Sequence, residues 1–161
     1  MLEIAVKIIL GFVFLIIFIQ DYKDRKVTWA LFPTVAICAA ILFSTNSIVE
    51  LFYISVIYNL LFVSILLGVI FIYAKLKLKT HINTVIGIGD VLLFLGLCFT
   101  FSTVSFIFIF VCSLIFSLIL HLSLTKKQNH STVPLAGYMS LFFGVVFLGS
   151  WLGVIDAVYQ I

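Results

Sequence analysis

Apolar positions along this chain come in long unbroken runs, not in alternation with polar ones. The runs cover residues 2–19, 27–43, 51–73, 85–101, 104–122 and 135–155. A helix crossing a bilayer needs about 17–25 mostly apolar residues, so each run predicts one crossing. Ile, Val and Phe would also suit strands, but a membrane barrel needs apolar and polar residues in turn, and these runs are continuous. In lipid every backbone group must find a partner inside the chain, which leaves helices. The prediction is an all-α, polytopic membrane bundle of about six transmembrane helices, with residues 1–161 forming a single domain.

Polar residues punctuate the runs in a pattern of their own. Lys23, Arg25 and Lys26 follow the first run, Lys75, Lys77 and Lys79 the third, and Lys126 and Lys127 the fifth. The other connections, around 44–50 and 100–103, carry no Lys or Arg. Basic loops stay on the cytoplasmic side. Eight of the nine basic residues therefore agree with six crossings and extracytoplasmic termini, and Lys7 is the exception. The first run lacks a basic start and a small-residue cleavage site, so it reads as a retained helix.

Composition strengthens this picture. The 161 residues are 65% hydrophobic and 9% charged, against about a quarter charged in a soluble domain. A net charge of +3 gives no reason to expect nucleic acid as a partner. Cys38, Cys98 and Cys112 lie in apolar runs with no metal-like spacing and read as packing residues. Asn59 falls in mid-span and is expected to bond to a neighbouring helix. Pro33 is expected to bend the second span, and Pro134 to start the sixth. Trp29, Trp151 and Tyr159 suit interfacial anchors. Asn83 and Thr84 suit the cap of the fourth helix.

Two carboxylates stand out. Asp21 closes the first span and Asp90 opens the fourth, on the same predicted side and at similar depth. Ionisable residues inside membrane segments usually line a cavity or pathway. Two aspartates meeting in a partly dry site share a proton, which suits acid–base hydrolysis. One takes a proton from water while the other donates to the substrate carbonyl. No metal or cofactor is required. Gly87 and Gly89 precede Asp90, and they can adopt unusual backbone angles or admit close neighbours. A lone Gly-x-Gly-Asp reads first as a packing motif with a helix-start charge, and only its company shifts the balance.

Gly87-Ile88-Gly89-Asp90 resembles the GxGD motif of type IV prepilin peptidases and archaeal preflagellin peptidases, which are membrane aspartic endopeptidases. Their other catalytic aspartate ends a preceding helix before basic residues and an Ile-Pro-Asn-like turn. "QDYKDRKVTWAL" is similar, with Asp21 in that place and Asp24 as the alternative. "VPLAGYMSLFFG", residues 133–144, is similar to the family's late segment, in which proline and small residues open a helix. The resemblance implies catalytic Asp21 and Asp90, with Gly87, Gly89, Asp24 and Pro134 as motif or support. It implies cleavage of prepilin-like leaders (of type IV pilin, pseudopilin or preflagellin precursors) at the cytoplasmic face of the plasma membrane. Two positions depart from the family pattern: Thr28 stands at its usual proline, and Leu92 at a frequent lysine. The cytoplasmic domain of larger members, with its CxxC pairs, is absent, so their methyltransferase activity is not expected. Presenilin-type proteases share GxGD, and Pro134-Leu135-Ala136 is faintly similar to their Pro-Ala-Leu motif, but they are longer. A catalytically degenerate assembly partner and a small proton-coupled transporter stay open as alternatives.

Overall fold

The computed structural model describes residues 1–78, 87–124, 134–155 and 159. Among them are six α-helices and no strand. In chain order these are α1 (Leu2–Asp24), α2 (Leu31–Asn46), α3 (Val49–Tyr73), α4 (Ile88–Leu97), α5 (Thr103–Leu124) and α6 (Leu135–Trp151). A π-helical turn, Ala74–Leu78, extends α3. Asn83, Thr84, His81, His130, Lys79, Lys126, Lys127 and Asp156 lie outside the described residues.

Three helices are long and apolar enough to cross a membrane: Leu2–Asp24, Val49–Leu76 and Thr103–Leu124. They are greasy on their outward faces as well as inside. Ile57, Leu61, Ile65 and Val69 form an exposed stripe along α3, and Phe108, Ile115 and Leu122 do the same on α5. A helix that is apolar all round is buried in a large core or in lipid.

The other three helices are shorter than the apolar runs that predicted them. α2 starts at Leu31, not Val27, because Thr28 to Ala30 form a turn in which Thr28 N–H donates to Gln20 Oε1 at 2.9 Å. Pro33 therefore falls in the first helical turn, where its missing N–H removes no helical bond. The expected cause of a bend is absent. α4 spans only ten residues, because Cys98 to Ser102 turn back towards α5. That turn is apolar enough to read as helix, yet Cys98, Thr100, Phe101 and Ser102 are all fully buried in protein. α6 ends at Trp151 and passes into a turn.

Packing centres on α6. It lies against α1 and α5, and α2 bridges α1 and α4. Ala136 to Ser140 are buried in succession, so the start of α6 is enclosed on every side. Phenylalanines fill the middle: Phe101 and Phe147 rings lie 4.7 Å apart, and Phe94 and Phe110 5.0 Å. Tyr159 packs its ring against Phe43 and Phe101. Lys7 pairs with Glu3 one turn earlier on α1, at 2.7 Å, which accounts for the one basic residue outside the loop pattern.

Candidate functional site

The buried face of α1 runs Val6, Leu10, Val13, Phe14, Ile17 and then Asp21. The helical period thus carries Asp21 to a core position where an apolar residue would be expected. It is 8% exposed. α1 continues one turn beyond it to Asp24, which is exposed. Arg25 ends the helix in the left-handed region, φ 54°, with its N–H donated to Asp21 O at 3.3 Å. That geometry is the usual αL stop, made here without glycine. Its charge bears on the Asp21 carboxylate.

Asp90 is the third residue of α4. Gly87 precedes the helix in extended conformation and donates its N–H to Asp90 Oδ2 at 3.2 Å. This satisfies a helix-start donor in the manner of a capping box. Neither motif glycine has positive φ, so unusual backbone angles are not their purpose. Space is. A Cβ on Gly87 would lie 3.1 Å from Asp90 Oδ2, and one on Gly89 would lie 3.4 Å from Phe32 Cζ on α2. The first glycine admits the carboxylate and the second seats α4 on α2.

The two acids meet at the start of α6. Pro134 precedes that helix, and Tyr138 N–H bonds to its carbonyl at 3.1 Å. Gly137 N–H donates to Asp21 Oδ2 at 2.6 Å, and Ala136 N–H donates to Asp90 Oδ1 at 2.9 Å. A helix leaves its first amides without partners and concentrates positive potential there. Here two consecutive amides are satisfied by carboxylates from two other helices. The carboxylates lie close enough to act on each other electrostatically. Gly137 gives this contact its room, since a Cβ there would lie 3.1 Å from both Cβ and Oδ2 of Asp21.

The structure thus brings Asp21, Asp90, Gly87 and Pro134 to one place, puts Gly89 at the α2 contact, and leaves Asp24 outside. Ala136 and Gly137 are the residues that sequence reasoning did not single out. Their contribution is backbone N–H, which no side-chain pattern announces. The available signal was a proline followed by small residues. Leu92 is half-buried against the core, and Thr28 lies in the exposed turn. Among the described residues no three His, Cys, Asp or Glu gather, so the aspartates stand as a pair. Two carboxylates held side by side, one of them nearly buried, can divide proton donation and acceptance between them.

Comparison with family models, curated proteins and solved structures finds no match to this chain.

Proposed function

We propose that this protein is a membrane aspartic endopeptidase that cleaves the leader of prepilin-like precursors at the cytoplasmic boundary of the plasma membrane. The observation that carries this reading is the convergence of Asp21 and Asp90, 69 residues apart (90 − 21), on consecutive amides of one helix. The resemblance of both acids, and of the Pro134 segment, to the family's motifs is what suggests the substrate class.

In this reading the six helices form one bundle with both termini outside, and the basic connections lie in the cytoplasm. The acids sit at the ends of α1 and α4 nearest those connections. α4 is about 15 Å long against a hydrocarbon core of about 30 Å. Its far turn therefore ends within the membrane, where irregular backbone is tolerated only if protein encloses it. Cys98, Thr100, Phe101 and Ser102 of that turn are fully buried in protein, which accords with the condition.

For hydrolysis, one aspartate takes a proton from water as its oxygen attacks the scissile carbonyl carbon. The other donates a proton to the carbonyl oxygen, and the tetrahedral intermediate then expels the amine with a proton returned to nitrogen. The substrate's apolar helix stays in the bilayer while its positively charged leader approaches the acidic pair. The test is purified protein in lipid mixed with type IV pilin, pseudopilin and preflagellin precursors. The parent is expected to cleave at least one class, and Asp21→Ala and Asp90→Ala none. Cleavage by all three proteins at equal rate would reject the two acids as catalysts.

A further inference from the structure

Asn59 lies on α3, wholly buried, and bonds beyond the end of α4 opposite to the one that carries Asp90. Its Nδ2 donates two hydrogen bonds, to Cys98 O and to Phe101 O, each 3.0 Å. Its Oδ1 is buried with no partner among the described residues. A buried oxygen without a partner is destabilising. Packing alone would thus favour Leu at this position. What an amide adds is a pair of N–H donors on one atom.

The accepting carbonyls belong to the turn that closes α4. The carbonyls of Leu95, Gly96 and Leu97 are already taken by Cys98, Phe99 and Thr100 N–H. Cys98 O and Phe101 O, in a turn sealed from water, receive their donors from Asn59. Beside them, Gly96 lets α4 touch the backbone of α2: a Cβ there would lie 3.1 Å from Phe32 O. α4 is accordingly anchored at its far end, and Asp90 is carried near the other end of a stiff ten-residue rod.

We propose that Asn59 is a positioning residue for Asp90, acting through α4 by fixing the turn at its far end. This rests on the reading of Asp21 and Asp90 as a working pair. With the donors removed, the rod pivots about the Gly96 contact and the Asp90 end shifts relative to Asp21.

The experiment reads geometry without needing activity. The Asp21→Cys/Asp90→Cys pair is placed in a full-length chain carrying Cys38→Ala, Cys98→Ala and Cys112→Ala, reconstituted in lipid. Its closure by a short bis-methanethiosulfonate reagent is timed. Adding Asn59→Leu, of similar bulk, or Asn59→Ala is expected to slow closure by about tenfold, the scale at which sub-ångström misplacement tells. Phe106→Leu is the control, because this core ring contacts Phe62 and Phe110 and neither acid. It should leave the rate unchanged. Equal rates with and without the Asn59 changes would overturn the proposal and leave the pairing of the acids standing. Equal slowing by Phe106→Leu would reduce the effect to general loosening and also overturn it. No closure in the parent would overturn the pairing and the proposal together.

Discussion

Gly137→Ala puts the sharpest strain on the proposed site with the smallest chemical change. The added methyl would lie 3.1 Å from Asp21 Cβ, 3.1 Å from Asp21 Oδ2 and 3.4 Å from Phe18 O. Carbon–carbon contacts are comfortable at about 3.5–4.0 Å, so the shortfall is roughly 0.4 Å. Asp21 Cβ is fixed to the α1 backbone and cannot swing aside. The start of α6 must therefore move away from α1, lengthening the 2.6 Å bond from Gly137 N–H. Misplacement by about 1 Å can cost on the order of a hundredfold in rate, so a 0.4 Å shift should cost about fivefold to tenfold. The loss should fall on kcat, because the substrate helix docks as before. Overpacking would also lower stability by about 1–3 kcal/mol. The assay is precursor cleavage at saturating substrate, alongside thermal unfolding in the same lipid. Gly144→Ala is the matched control on the same helix, since its methyl would meet Phe14 Cβ at an ordinary 3.7 Å. Gly137→Ala cleaving at the parental rate would refute the claim that this amide holds Asp21 in place.

Two further outcomes follow from the same geometry. Asp24→Ala should keep near-parental cleavage, because this carboxylate is exposed and outside the site; loss as complete as that of Asp21→Ala would reverse the choice between them. Gly96→Ala should destabilise by about 1–3 kcal/mol in thermal unfolding, since its methyl would press on a backbone oxygen of α2. Gly11→Ala, in mid-helix with no foreign atom within 4 Å, should instead stabilise by about 0.5–1 kcal/mol.

The sequence displayed the helices as apolar runs because lipid and core ask for the same residues. That same equivalence hid their ends. Cys98 to Phe101 look like helix in composition, and only burial by surrounding helices lets them turn. Val27 to Ala30 look like the start of α2, and only the bond from Thr28 to Gln20 shows them as a turn. The acids were legible because carboxylates are conspicuous in such company, and the pattern of basic loops led to the expectation of a common side. Their holder was not. Amides at 136 and 137 exist in any chain, and their use depends on where α6 begins relative to α1 and α4. Asn59 was legible as a polar residue seeking a partner, but not as a donor to the turn after α4.

Because neighbouring amides of one helix hold both acids, the register of two adjacent residues on α6 sets where the carboxylates meet. A shared holder of this kind lets a small, soft assembly of helices keep a tolerance that its helices could not keep singly.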